Sequence, residues 1–253
     1  MRAILTAVLA VLMLGLVPLP VADAQSQPTA TTAAPQMATS TGWQTVRTMN
    51  VRSGPSTQYP IVGELKASTK LDVLAWQQGE IVVGSNDTWA KIADGRFVYS
   101  NGLVKPKPDQ PPAPGKKLKG RWIDVNLSQQ VITAYSGDTP VYWAVMSSGR
   151  PGWETPTGTL TIQRRKIVTV MDSSNLNAAD TAKLRADAQQ YRVEDVFYTQ
   201  YFTDSGDALH YNYWKWDTPF GMPTSHGCIG MNYSDSYFFW AFATLGTPLV
   251  IHY

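Results

Sequence analysis

The chain has 253 residues, with 21 Lys plus Arg against 19 Asp plus Glu and a formal net charge of +2. That balance creates no field strong enough to gather nucleic acid. Plentiful β-branched and aromatic residues, punctuated by Gly and Pro, favour an all-β chain over a helical one, long enough for one medium domain and one small one.

Met1 to Leu19 carries one positive charge, Arg2, and then a long apolar run, followed by Ala22-Asp23-Ala24. This pattern predicts a secretory signal over 1–24, cleaved before Gln25, so that the protein is exported and keeps no membrane span; left uncleaved, the same apolar run would be an anchor. No cysteine stands near the cleavage point to take a lipid. Residues 25–42 are Gln, Ser, Thr, Ala and Pro, the composition of a disordered spacer.

From Trp43 to Val104 short apolar runs alternate with bends at Pro55, Gly63, Gly79, Asn86-Asp87 and Asp94-Gly95. Five or six short strands in this length predict a small barrel. It holds no His or Cys, so its expected role is binding or positioning. The run Met49-Asn-Val-Arg-Ser-Gly-Pro-Ser-Thr-Gln-Tyr-Pro-Ile-Val-Gly-Glu-Leu65 resembles the opening of bacterial Src-homology-3-like (SH3-like) domains. Trp89-Ala-Lys-Ile and Phe97-Val-Tyr-Ser-Asn-Gly-Leu-Val104 fit the end of that pattern. The resemblance implies contact with cell-wall glycan or peptide. Arg52, Tyr59, Trp76 and Trp89 are the candidate contacts, with core packing favoured for both tryptophans.

Lys105–Gly120 holds five prolines and four further lysines. It reads as a linker, extended where the prolines cluster, and as a solvated spacer. A second domain is expected over 121–253. In Arg121–Leu127, Trp122, Asp124 and Asn126 alternate with Ile123, Val125 and Leu127, the mark of a half-buried strand. A turn at Ser128-Gln129 returns it as a hairpin through Val131–Tyr135. Further strands are expected at Val141–Ser147, Ile167–Met171, Glu194–Phe202 and Ala208–Tyr213, and Thr155–Gln163 reads as a turn leading into another. Between Asn175 and Gln190 the apolar spacing predicts a short helix or a flap. Ser234 is placed to cap a helix from Asp235 to Leu245, stopped by Gly246, with Thr247–Tyr253 closing the domain as a strand.

The chemistry concentrates in Thr224-Ser-His-Gly-Cys-Ile-Gly-Met-Asn232, which holds the only cysteine. An exported chain usually carries its cysteines in pairs, so a lone thiol in a Gly-rich loop reads as reactive rather than as core filling. A nucleophilic thiol needs an imidazole to take its proton. His210 sits on a predicted strand that can lie beside the loop, whereas His226 would need a tight local turn and His252 reads as structural. Backbone N–H groups of Gly227 and Cys228 are candidate oxyanion donors. His210, His226 and Cys228 also remain open as three zinc ligands.

The segment 121–253 resembles the L,D-transpeptidase catalytic domain, also called YkuD. The match rests on His210, a gap of fourteen residues, then Ser225-His226-Gly227-Cys228. Val145–Gly149, Thr155-Pro-Thr-Gly158, Leu160-Thr-Ile162 and Gly246–Ile251 fit the flanking pattern. The resemblance implies a β-sandwich with a short helix after the nucleophile. It implies an enzyme without a cofactor that acts on peptidoglycan stem peptides as donor and acceptor. Cys228 would attack the bond before the D-alanine at position four, release D-alanine and form a thioester. A diamino acid side chain on a neighbouring stem would resolve it. With water as acceptor the outcome is an L,D-carboxypeptidase, and without turnover a wall-binding protein. His210 takes the base role, His226 a site role, and Ser225 fixes the loop. Two positions depart from the family: Gly230, where Arg or Asn is common, and Tyr211, where a small residue is common. Asn232 or Arg150 is expected to supply the contact missing at Gly230, and Tyr211 to narrow the cleft or meet substrate.

Overall fold

The computed structural model describes residues 40–175 and 190–253. The expected signal segment, nearly all of the spacer and most of the expected 175–190 helix lie outside the described residues.

The first half is built from β1 (Ser40–Thr45), β2 (Met49–Arg52), β3 (Ile61–Leu65), β4 (Lys70–Val73), β5 (Ala75–Val83), β6 (Asn86–Ala93), β7 (Arg96–Tyr99) and the short β8 (Leu103–Val104). They form a five-stranded sheet ordered β3-β2-β7-β6-β5 and a three-stranded sheet ordered β4-β1-β8. Between them Trp43, Val51, Trp89, Ala90 and Val98 are buried almost completely. Each large side chain removed from water there contributes about 1.5–3 kcal/mol, before the entropy of ordering the chain is subtracted. The first strand begins at Ser40, not after Gly42. Gly42 takes φ +77° inside an irregular β1–β4 register, a conformation glycine adopts without steric cost. Ile81–Val83 is the end of one long strand rather than a strand of its own.

The second half contains β9 (Arg121–Asn126), β10 (Val131–Ser136), β11 (Thr139–Val145), β12 (Gly158–Thr161), β13 (Arg164–Asp172), β14 (Arg192–Tyr201), β15 (Ala208–Tyr211), β16 (Ile229–Met231), α1 (Tyr233–Phe242) and β17 (Pro248–His252). One sheet runs β11-β10-β9-β17-β12 and the other β13-β14-β15-β16. Ile123, Val125, Ile132, Leu209, Ile229, Met231, Phe239 and Leu249 fill the space between them. The architecture is the mostly β sandwich expected, with its helix directly after the cysteine loop.

Three further expectations are corrected. The cap of α1 is Asn232, whose side chain accepts from the Asp235 N–H at 2.9 Å, and the helix ends at Phe242. Asn lies as favourably as Ser at this position, and the choice is made by where the chain leaves β16. The hairpin strand β9 is not half-buried: Trp122, Ile123, Asp124 and Val125 are all fully buried. Its second face is covered by the linker. Leu118 packs on Trp122, Tyr135 and Val250, while the Gly115 N–H donates to Asp124 Oδ1 at 3.0 Å. Pro108 O accepts from Trp143 Nε1 at 2.8 Å, and the Lys107 ammonium lies 4.6 Å over the Trp143 ring. The linker is therefore a docked strap rather than a solvated spacer, held by an aromatic floor that proline-rich chain covers with little loss of entropy.

Candidate functional site

The site is set by one register. The strands β15 and β16 are parallel, with Leu209 beside Ile229 and His210 beside Gly230. Cys228 immediately precedes β16, so it stands next to Ala208. Side chains alternate along a strand, so Ala208 and His210 share one face, and Cys228 and Gly230 share it with them. Leu209, Ile229 and Met231 take the other face, in the core. Residues eighteen apart in sequence thus become diagonal neighbours.

His210 is 2% exposed. Its Nδ1 donates to the Tyr211 carbonyl oxygen at 2.9 Å, since a carbonyl can only accept. That bond fixes the proton on Nδ1 and leaves Nε2 with its lone pair. The Trp214 ring stacks on the imidazole, with centroids 5.4 Å apart and planes 16° from parallel. Burial pushes the imidazole pKa down to about 4.

Cys228 is half-buried, and its thiol is a free cysteine. Sγ points toward the 206–208 turn, 3.9 Å from the Gly206 carbonyl oxygen, and accepts from the Ala208 N–H. Loss of water, and then the Asp207 carboxylate, push the thiol up to about 12. The resting pair is therefore neutral thiol and neutral imidazole, and no hydrogen bond joins the two among the described residues.

The loop before the cysteine is fixed by its own backbone. Ser148 O accepts from both Thr224 N and Ser225 N, and Arg150 N donates to Ser225 O at 3.0 Å. The Ser225 hydroxyl donates to Cys228 O at 2.6 Å and accepts from the Gly227 N–H at 3.2 Å. Thr155 Oγ1 donates to Gly227 O at 2.8 Å. Gly227 has φ +114°, and a Cβ there would lie 2.1 Å from Asp207 Oδ1, so the position requires glycine. His226 lies between aromatic rings, edge-on to Trp153 at 4.8 Å and stacked on Tyr191 at 5.2 Å.

The remaining candidates fall as follows. Gly230 is buried, and its backbone exchanges hydrogen bonds with Ser147. A Cβ at 230 would meet Asn212 Nδ2 at 2.7 Å, so the space of a longer side chain is taken by Asn212. Asn232 spends its side chain on the helix cap, with Oδ1 accepting from Asp235 N and Ser234 Oγ. Tyr211 turns to the face opposite His210 and packs edge-on against Tyr233 at 5.4 Å, away from the imidazole. In the barrel, Trp89 is core, with Nε1 donating to Glu80 O at 3.0 Å. Arg52 clamps its own turn through the Thr57 and Tyr59 carbonyls, each at 2.8 Å. Trp76 packs edge-on against Trp43 and also lines a cleft. His252 pairs with buried Asp124 at 3.1 Å, on the sheet that does not carry His210. Among the described residues no three His, Cys, Asp or Glu side chains gather as a metal site requires.

That cleft has a volume of about 940 Å³ and is walled on one side by Trp76, Gln78 and Asp87 of the barrel, on the other by Arg150, Trp214 and His226. Asp217 ties the walls together. It is 3% exposed, its Oδ2 accepts from Ser85 N at 2.7 Å, and its carbonyl accepts from Asn86 Nδ2 and Asn101 Nδ2, both at 2.9 Å. Sequence reasoning missed Asp207, Asn212, Trp214 and Asp217. Only Asp207 left a signal: Thr203, Ser205 and Asp207 form the side-chain-bonded turn that such residues favour.

Residues 120–251 match the family described as the L,D-transpeptidase catalytic domain (YkuD), and residues 47–104 match that described as a bacterial SH3 domain. Among solved structures the chain is similar to an L,D-transpeptidase from Mycobacterium smegmatis, at 17% identity over 66% of each chain with a TM-score of 0.47. It is similar to L,D-transpeptidase 3 from Mycobacterium tuberculosis, at 22% identity over 53% of this chain and 61% of that one, TM-score 0.45. An L,D-transpeptidase from Stackebrandtia nassauensis gives 19% identity over 55% and 59%, TM-score 0.41. The matches span less than two thirds of those chains. Comparison with curated protein sequences gives no match.

Proposed function

The chain belongs to the L,D-transpeptidase catalytic-domain family, and from that premise we propose that it is an exported cysteine acyltransferase that crosslinks peptidoglycan stem peptides. The observation that carries the reading is the β15–β16 register together with the Nδ1–H bond of His210 to the Tyr211 carbonyl. The register sets thiol and imidazole on one face, and the bond presents Nε2 as an acceptor.

Cys228 is the nucleophile and His210 the general base. As Sγ attacks the carbonyl carbon of the third stem residue, its proton passes to Nε2. Proton transfer accompanies attack, because at rest the thiol sits near 12 and the imidazole near 4. The imidazolium then protonates the departing amine, D-alanine leaves, and a thioester remains. An amine of a neighbouring diamino acid attacks the thioester, gives its proton to His210, and the thiol is restored. Since the Gly227 N–H is directed at Ser225 Oγ, the oxyanion falls to the Cys228 N–H. Ser225 and Thr155 hold the loop, and His226 lines the cleft beside it. The match of residues 47–104 supports a wall-facing role for the barrel.

The test is intact mass after incubation of the mature protein with a purified tetrapeptide stem. The expected adduct is the stem less D-alanine, absent in Cys228→Ala and strongly slowed in His210→Ala. A folded protein with a free thiol that forms no adduct and releases no D-alanine overturns the reading. Adding an amine acceptor separates the outcomes: a crosslinked product marks the transferase, and hydrolysis alone marks a carboxypeptidase.

A further inference from the structure

Glycine at 230 is dictated by a neighbour rather than by its backbone. Gly230 lies beside His210, and its φ is outside the left-handed region, so conformation alone would admit any residue. What excludes a side chain is Asn212. An added Cβ would first meet Asn212 Nδ2 at 2.7 Å, Cβ at 3.2 Å and Cγ at 3.3 Å. The Asn212 N–H donates to Met231 O at 2.9 Å, so the pairing runs one residue past β15, and alternation puts Asn212 on the face of Ala208 and His210. Its carboxamide therefore lies over Gly230, on the face that carries the thiol and the imidazole. The backbone offers nothing more at this point, because the Gly230 N–H and carbonyl both bond to Ser147. Asn212 is 5% exposed and Ser147 is 1% exposed, and among the described residues neither Asn212 Oδ1 nor Ser147 Oγ has a hydrogen-bond partner. Buried polar atoms are nearly always partnered, and an acceptor left dry costs free energy. Such a departure is expected where a group acts on something that arrives after folding.

We infer that the Asn212 carboxamide holds substrate, by hydrogen bonds to a peptide unit of the stem close to the bond that Cys228 attacks. This rests on the stem-peptide reading above and adds a contact to it. A carboxamide presents an acceptor and donors side by side, the complement of the N–H and carbonyl of a peptide unit. Rotation about its last side-chain bond is loose, so either end can turn to the stem. Gly230 is two residues from Cys228, a separation of about 6.6 Å along the strand. The carboxamide over it thus stands within about two residues of the attacked carbonyl on an extended stem. Asn232, the amide nearest in sequence to the cysteine, is held by the helix cap and cannot serve. Asn212 and Gly230 are then one device: the amide reaches the reacting face from one strand, and its neighbour on the other strand carries no side chain to obstruct it.

The experiment exchanges the two residues. Wild type, Asn212→Ala and the double variant Asn212→Gly with Gly230→Asn are compared as the full mature protein at equal folded concentration. Adduct formation with a purified tetrapeptide stem is read by intact mass, stem affinity by calorimetry in a Cys228→Ala background, and stability by urea unfolding. Loss of one hydrogen bond predicts a fall of about 5- to 10-fold in rate and affinity for Asn212→Ala. The unfolding midpoint should be no lower than that of wild type, since the deleted acceptor has no partner to lose. The exchange returns a carboxamide to the same face from the other strand and should recover most of the fall. Wild-type rate and affinity in Asn212→Ala overturn the inference. So does a fall that the exchange fails to recover, or one matched by a loss of stability, because either marks Asn212 as packing. If either variant fails to fold, Asn212→Ser, which keeps a polar group of shorter reach, decides: the same fall supports the inference and wild-type behaviour overturns it. No adduct from wild type overturns the acyltransferase reading instead, and the affinity comparison then decides the role of Asn212 by itself.

Discussion

Replacing Gly227 by Ala tests the geometry of the cysteine loop at one atom. The residue has φ +114°, and the added Cβ would lie 2.1 Å from Asp207 Oδ1. Two costs arise. Holding an L-residue in that backbone region costs about 1–3 kcal/mol, and forcing a methyl into an occupied space costs about 1–3 kcal/mol more. The carboxylate cannot yield cheaply. Asp207 Oδ2 accepts from Thr203 Oγ1 at 2.8 Å and from Ser205 Oγ at 3.1 Å, and its own N–H donates to Thr203 Oγ1 at 2.9 Å. The sum of about 2–6 kcal/mol implies a fall in Tm on the order of 10 °C for a chain of this size. The assay is thermal and urea unfolding of wild type, Gly227→Ala, Asp207→Ala and the double variant. Removing the carboxylate relieves the clash but not the backbone strain, so the cycle should show a favourable coupling of about 1–3 kcal/mol. A Gly227→Ala protein within about 0.5 kcal/mol of wild type, the usual range of a neutral surface change, would refute the argument, as would a cycle without coupling.

Three further outcomes are expected. The imidazole of His210 is held near 4 instead of 6.5, so kcat/KM for acylation should keep its neutral-pH value down to about pH 5 and lose it through an acid limb near 4; an acid limb near 6.5 would refute the buried, neutral base. Asp217→Ala removes the acceptor of the Ser85 N–H and hydroxyl and leaves part-buried donors unsatisfied, at a cost of about 1–3 kcal/mol. Unfolding should show that loss, and small-angle scattering a larger radius of gyration; an unchanged particle would mean that the barrel is held by other contacts. Burial raises the Asp124 carboxyl above its ordinary 3.8, so the folded state binds that proton more tightly than the unfolded chain. Its contribution to stability is full below 3.8 and is lost as pH rises through the folded value. Asp124→Asn should therefore compare more favourably with wild type at pH 7 than at pH 4 in urea unfolding, and the reverse order would refute the sign.

Much of this protein is legible from local chemistry. Alternating β-branched and aromatic residues, with Gly, Pro and Asn-Asp at the bends, specify strands whatever surrounds them, so the two β halves and the β9–β10 hairpin are read directly. Cys228 is readable because it stands alone in a Ser-His-Gly-Cys loop, and His210 because a strand pattern surrounds it. The N-cap was misread by two residues, since Asn232 and Ser234 are equally good caps and only the exit from β16 selects between them. The alternation in β9 marks a half-buried strand because it reports polarity, not cover. Trp122 and Asp124 face a linker whose composition says nothing of where it lies. Asp207 left the signature of a turn but none of its place beside Gly227, and Asn212 and Trp214 gave no pattern, because each meets a partner brought near by folding: Gly227, Gly230 and the His210 ring. The sequence alone singled out the candidate groups for the chemistry and most of the strands. The tertiary structure decided the protonation of the thiol and imidazole, the docking of the linker and the cleft walled by the barrel. Those depend on burial and on contacts between residues far apart in the chain, and neither leaves a periodic mark.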